Sequence, residues 1–258
     1  MGKRRVFLIR VGIDSSYGGL VSPIFPDGDF IFTPIPDGDN DLPNKVNPKM
    51  SKYRELEYNG IPITDYLPKY RLSFNNHFIS DPANINAHED PEFKTNTYGE
   101  LKQKRIYNTL KTFEPGDYVL FYSAFYPCES KKFKYCDYSL NDLQRIQRGK
   151  KTYYLFAYLE LKYPLIDRSN VVLFEDEVRD NQHFRRGDFE AGDTSFILKG
   201  TEDSGILPKV KRIDKGRKGS NYQMTREFAQ FKVSNSDKRG LNRSYCQLHD
   251  SVIEWMFN

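Results

Sequence analysis

Residues 4–11 place apolar side chains on both faces of an extended run, and no other feature constrains the fold as much. Val6 and Leu8 alternate with Phe7, Ile9 and Val11, so a strand here has no face to give to water and belongs inside a sheet. The chain then turns polar at once. Gly12-Ile13-Asp14-Ser15-Ser16-Tyr17-Gly18-Gly19, Phe25-Pro26-Asp27-Gly28 and Pro34-Ile35-Pro36-Asp37 crowd glycine, proline and short polar residues into one stretch. Such residues hold bends and present polar groups from them; they pack a core poorly. The segment is either a set of surface turns or a site fed by a central strand.

Two further runs are strand-like. Tyr118–Tyr122 follows the Pro115-Gly116-Asp117 turn, and in residues 152–162 Tyr153, Leu155, Ala157, Leu159 and Leu161 alternate with Tyr154, Phe156 and Tyr158. With 18 Tyr and 19 Phe against one Trp and four Met, aromatic rings must fill the core. They also argue against disorder despite an apolar content of only 38%. Shorter strands are expected at Phe30–Phe32, Asn170–Phe174 and Thr194–Leu198.

Helical spacing marks Tyr98–Phe113, with Leu101, Ile106, Leu110 and Phe113 on one stripe and Thr97 or Asn96 as cap. Ser139–Gln147, Met224–Phe231 and Asp250–Phe257 are further helices, and Asp65-Tyr66-Leu67 is a short helical turn within the proline-broken excursion 37–68. Strand signals outnumber helices and do not alternate strictly with them. The expected class is therefore α+β, a curved, mostly antiparallel sheet with flanking helices and long loops. No linker divides the chain, so a single domain over residues 1–258 is expected.

No run approaches the roughly 20 apolar residues of a membrane span. Met1-Gly2-Lys3-Arg4-Arg5 opens like a signal peptide, but the apolar run stops at Arg10. Val6 breaks the myristoylation pattern. Cys128, Cys136 and Cys246 form no C-x-x-C pair, which points to reduced thiols. A cytoplasmic protein without membrane partners is expected. Triphosphate hydrolysis, nucleophile-elbow, zincin and dinucleotide motifs are all missing.

The net charge of +4 is unevenly spread. Lys209, Lys211, Arg212, Lys215, Arg217 and Lys218 face Asp214 as the sole acid between them. Smaller basic clusters stand at residues 3–5, 131–134 and 145–151. Such a run is a solvated loop or a contact to nucleic-acid backbone.

His88, Asp90 and Glu92 occupy alternate positions and, if extended, share a face that can hold a divalent metal or do acid–base work. Pro91 argues for a bend, and polar residues before a helix more often serve as caps; no metal is assigned. Asn181-x-His183-x-Arg185-Arg186 combines an amide, an imidazole and two guanidiniums, which suit a phosphate and a base edge or a plain polar loop. His77 and His249 stand alone and read as structural.

In their order, Gly12, Asp14-Ser15, Gly18-Gly19, Ser22-Pro23, Pro26-Asp27-Gly28, Pro34-Ile35-Pro36, His88-x-Asp90-Pro91, Thr97-Tyr98-Gly99 and Gly116-Asp117 resemble the nucleotide modification associated domain family, third type. The match covers most of residues 4–200. Where that family tends to show Asp after Thr-Tyr-Gly, this chain has Glu100. The resemblance implies gene settings linked to DNA or RNA base modification and phage conflict. The Gly116-Asp117 turn with its aromatic strand, next to residues 153–160, is also similar to PUA-like domains of the ASCH and EVE types. That second likeness is an analogy of fold, weaker than the first, and adds a PUA-like barrel with a base pocket as one form open to the sheet.

Two functions follow. The first is a module that binds a nucleotide or base in DNA or RNA, with Ser15, Tyr17, Asp27, Asn181, His183 and Arg185 reading it and Lys209, Lys211, Arg212, Lys215, Arg217 and Lys218 on the backbone. The second is an enzyme on a nucleotide, metal-assisted or not, in which Asp14, His88, Asp90 and Tyr98 converge. A structural partner in a modification complex is the third alternative. No cofactor and no protein partner is assigned. All of these readings expect the acidic bend at Asp14 to face His88.

Overall fold

In the computed structural model, residues 3–12, 19–37, 50–58, 60–69, 72–74, 77–101, 104–187, 195–218, 221–233 and 245–258 are described. Asp14, Ser15 and Tyr17 lie outside them. The chain divides into two units. The first comprises residues 1–11, 90–122 and 154–258, and the second residues 12–89 and 123–153.

Along the chain, β1 (Val6–Arg10) and β2 (Ser22–Ile24) come first. Short pairs follow: β3 (Ile35–Pro36) with β8 (Ala87–His88), β4 (Glu57–Tyr58) with β5 (Ile61–Pro62), and β6 (Leu72–Phe74) with β7 (His77–Ile79). Then come β9 (Thr97–Glu100), α1 (Lys104–Leu110), β10 (Tyr118–Pro127), α2 (Leu140–Gln147) and β11 (Thr152–Glu160). β12 (Ile166–Asp167), α3 (Glu175–Val178), α4 (Gln182–Arg186) and β13 (Phe196–Lys199) lead to β14 (Gly205–Arg212), β15 (Asp214–Lys218) and β16 (Asn221–Met224). α5 (Arg226–Ala229), β17 (Tyr245–Leu248) and α6 (Val252–Phe257) close the described chain.

The first unit is organised by a sheet in the order β14-β11-β10-β1-β17. β1 runs parallel to β10, Val6 opposite Tyr118, and antiparallel to β17, Leu8 opposite Cys246. The two-faced apolar pattern of residues 4–11 is thus explained: Val6, Phe7, Leu8 and Ile9 are all buried in a strand with neighbours on both sides. Asp117 ties the start of β10 to β1. Its carboxylate accepts the Arg5 backbone N–H at 2.8 Å, Arg5 Nε at 2.7 Å and the Glu114 N–H at 2.8 Å. A second, antiparallel sheet in the order β12-β13-β9 pairs Ile197 with Gly99.

In the second unit the far half of β10 pairs in parallel with β2, Phe125 opposite Ser22. Rings pack around it, Phe30 on Phe125 at 5.2 Å and Tyr66 on Tyr135 at 5.6 Å. α2, capped by Ser139, sends Gln147 back to the backbone of Val21, accepting at 2.8 Å and donating at 3.1 Å.

The α+β class with mostly antiparallel sheets is as expected, and the helical turn before Pro68 forms as Ile63–Tyr66. The barrel form is not taken: among the described residues none of the sheets closes, and β14 and β17 end the main one. Phe30–Phe32 is not a strand, because the turn bonded from Phe25 N–H to Asp29 O brings Phe30 back as a lone bridge to Ile24. Residues 97–100 are strand β9 rather than the head of a helix, since they find β13 as a partner. Val171–Phe174 is a 3₁₀ turn that runs into α3, with Val172 and Leu173 exposed. Among the described residues it pairs with no strand. The basic run 209–218, readable as a loop, is instead strand, β14 pairing antiparallel with β11 and β15 with β16.

Candidate functional site

The buried carboxylates and imidazole of the described residues are those of Asp90, Glu92, Asp117, His183 and Asp214, all in the first unit. Asp117 is occupied with β1. Asp90 and Glu92 both meet α4, so alternate positions around Pro91 do share a neighbour. Asp90 Oδ2 lies 2.7 Å from His183 Nε2 and its Oδ1 accepts the Gly99 N–H at 3.1 Å. Glu92 Oε1 accepts the Gln182 N–H at 2.6 Å, a carboxylate at the positive end of a short helix.

α4 is built to hold the imidazole still. Asn181 is its N-cap, accepting from the His183 N–H at 2.9 Å and donating Nδ2–H to Thr97 Oγ1 at 2.9 Å. Gly187, at φ 79°, ends the helix in the left-handed conformation. The ring of His183 then lies against β9. A Cβ on Gly99 would stand 2.0 Å from His183 Cδ2, so only glycine admits the ring there. Thr97-Tyr98-Gly99, expected as the cap and head of a helix, is in fact a strand that makes room for a histidine.

His183 is fixed from its other side as well. Arg186 Nη2 is 3.2 Å from Nδ1. A guanidinium can only donate, so Nδ1 accepts, and the ring proton sits on Nε2 and is given to Asp90. The result is a directed series, guanidinium to imidazole to carboxylate, with Asp90 and His183 fully buried and Arg186 half-buried. Sequence reading singled out Arg185 rather than Arg186. Nε of Arg185 is buried and has no hydrogen-bond partner among the described residues.

The other expected site residues fall elsewhere. Tyr98 is buried and donates to Glu100 Oε2 at 2.9 Å; burial, with Glu100 beside it, pushes its hydroxyl well above the usual phenol range. A longer Glu in place of the family's Asp reaches this hydroxyl. His88, on β8 in the second unit, has Nδ1 3.4 Å from Asp37 Oδ1. Asp27 sits in an exposed turn, its carboxyl held below the usual range by the hydrogen bond from Lys131 at 2.7 Å. The meeting of Asp14 with His88 lies outside the described residues. Lys209, Arg212 and Lys215 are exposed on β14 and β15, while Lys211 lies with its Nζ 5.8 Å from the centre of the Trp255 ring. Arg217 and Lys218 stand in β15, opposite Tyr222 and Asn221.

Asp90 and His183 supply donor types that suit a transition metal. A cation on Nε2 needs the lone pair there, which would leave Nδ1 protonated against the Arg186 donor. The donor set fits a metal; the hydrogen bond from Arg186 does not.

A family model for nucleotide modification associated domain 3 matches residues 5–251. The chain belongs to this family. No curated protein matches it, and no solved structure does. The match runs through both units and takes in the whole Asp90–His183–Arg186 series. No helix among the described residues is long and apolar enough to cross a membrane.

Proposed function

We propose that this domain binds a nucleotide or base within DNA or RNA, with the Asp90–His183 pair as the fixed polar feature of the site and the basic strands β14 and β15 on the backbone. The observation that carries the reading is the burial of a carboxylate–imidazole pair that secondary structure does not require. Desolvating such groups costs several kcal/mol if they are unpaired, and chains retain them where they have a task. Family membership supplies the context of nucleotide modification. The likeness of β10 and β11 to the paired strands of PUA-like domains supports a base pocket beside them, and exposed Lys209, Arg212 and Lys215 suit salt-sensitive phosphate contacts.

Fluorescence anisotropy with labelled single- and double-stranded DNA and RNA tests it. Affinity is expected to fall steeply between 50 and 200 mM salt (about tenfold or more), and Asp90→Ala is expected to keep that salt-sensitive part. An absence of binding at low salt by any of the four probes removes the proposal.

An enzymatic reading has one observation of its own: Asp90 accepts the hydrogen bond of His183 Nε2–H, the way a carboxylate holds an imidazole that serves as a base through its other nitrogen. Mass spectrometry of nucleosides from cells with and without the gene separates the two. A nucleoside that changes with the gene, and not with an Asp90→Ala copy, selects catalysis; an unchanged profile selects binding.

A further inference from the structure

We infer that the face formed by β14 and α6 takes an unpaired strand of nucleic acid, with the Phe257 ring as the platform for one base and Lys209 and Lys211 as contacts to its phosphates. The inference rests on the binding reading above and narrows its ligand from any nucleic acid to a single strand. β14 ends the main sheet, and α6 packs against it. At one end of β14, Gly205 stands opposite Tyr158, whose ring meets that of Phe257 at 5.2 Å and 88°. Toward the other end, Lys211 holds its Nζ 5.8 Å from the centre of the Trp255 ring. Lys209 lies between them and is exposed. An open aromatic ring and two ammonium groups thus share one strand and the helix beside it.

Phe257 is the unusual member of this group. It is 51% exposed, so it forgoes much of the gain that burial of a ring provides. It is nonetheless held in place. Tyr158, on which it rests, is buried, stacks on Tyr118 at 6.1 Å and 22°, and donates its hydroxyl to Asp203 O. The exposed ring is therefore carried by a stack rooted in β10 and β11 and is set before any ligand arrives. Edge protection accounts for only half of such a surface. Lysines and a proline on an end strand deter a further strand from pairing, and β14 carries Pro208, Lys209 and Lys211. An open aromatic ring beside them works against that purpose, since it invites contact. Basic groups next to an open ring match a ligand that offers phosphates and flat apolar faces together, which a single strand does. In a duplex the base faces are covered by neighbouring bases, and the ring has nothing to stack on.

The test uses the full chain and labelled DNA and RNA strands of about 15 nucleotides, a length that covers the usual site on such surfaces. Each strand is titrated alone and annealed to its complement, by fluorescence anisotropy at one salt concentration. At least one of the two single strands is expected to bind more tightly than its duplex. Phe257→Leu keeps apolar bulk and removes the aromatic face. It should cost single-strand affinity roughly 5- to 150-fold, the range for one base on one ring, and leave duplex affinity unchanged. Phe257→Tyr should keep most of the single-strand affinity. Lys209→Gln should weaken both forms and reduce the salt slope by about 0.7–0.9, the share of one phosphate.

Equal affinity of the wild type for strand and duplex, or an undiminished single-strand preference in Phe257→Leu, overturns the inference and leaves the binding proposal standing. No binding of any probe by the wild type overturns both. Trp255, the one tryptophan of the chain, lies on the same helix and supplies a direct readout. Its emission should change as the single strand binds, and unchanged emission at saturation places the ligand elsewhere and overturns the inference. A wild type that sediments as a dimer, with Phe257→Leu as a monomer, gives the ring to a contact between copies and overturns it too.

Discussion

The two units bury polar side chains in different ways. In the second, Ser22, Thr33, Asn86, Ser123, Gln147 and Thr152 are the buried polar residues, and all are neutral. Side chains among them are fastened to backbone: Gln147 to Val21, Asn86 Nδ2 to Met50 O at 2.9 Å, with the buried hydroxyls of Tyr53 on Pro34 O and Tyr135 on Val21 O, both at 2.7 Å. In the first unit the buried polar residues include four carboxylates and an imidazole, and two pairs of them, Asp90 with His183 and Asn181 with Thr97, are bonded side chain to side chain. A side chain on a carbonyl pins a loop. A side chain on another side chain sets a proton or a charge, which is the arrangement a binding site needs. The contrast argues that the first unit holds the chemistry and the second is stapled around aromatic rings.

That contrast is easiest to break at Asp90. Asp90→Ala strips the acceptor from two buried donors, Gly99 N–H and His183 Nε2–H, and should lower unfolding free energy by about 2–5 kcal/mol in urea titrations. A loss below 0.5 kcal/mol would mean water replaces the carboxylate and the site is not sealed. Gly99→Ala should follow, at about 1–3 kcal/mol, because the ring of His183 must give way to a methyl group.

Gln147→Ala should cost a similar 1–3 kcal/mol, since Val21 N–H and O both lose a partner in the second unit. Here nucleotide affinity should stay within twofold, and a larger drop would show that the stapled unit takes part in binding. The smallest effect is expected at Glu177. Hydrogen bonds from Tyr163 and Lys162 hold its carboxyl below the ordinary value of 4.5. A folded value below the unfolded one stabilises the chain above that pH and is lost as pH falls further. Glu177→Gln should therefore flatten the melting curve against pH between about 3 and 5, by less than about 1 kcal/mol because the pair is solvent-exposed. An unchanged slope would assign acid sensitivity to the buried carboxylates instead.

Local chemistry explains which parts of the fold could be read. β1, β10 and β11 announce themselves because their side chains are apolar on both faces, and a strand like that must lie inside a sheet whatever the connection. α2 is equally plain, with Ser139 as cap and Leu140 and Leu143 on its buried side. Asn170–Phe174 and the basic run 209–218 misled for the converse reason. Strand formation at those places depends on whether another edge is free to pair, and spacing within five or ten residues holds no record of that.

For the site, the sequence by itself determined the residue types and the two clusters: Asp90 and Glu92 around a proline, and Asn181, His183 and Arg186 within six positions. It could not show that 93 residues apart Asp90 and His183 share one proton, or that Gly99 is glycine to admit an imidazole. Those are decided when β9, paired to β13, is packed beside α4. Hydrogen bonds have direction and methyl groups have volume only between groups already brought together. Tertiary structure therefore chose which arginine of the pair Arg185-Arg186 faces the histidine.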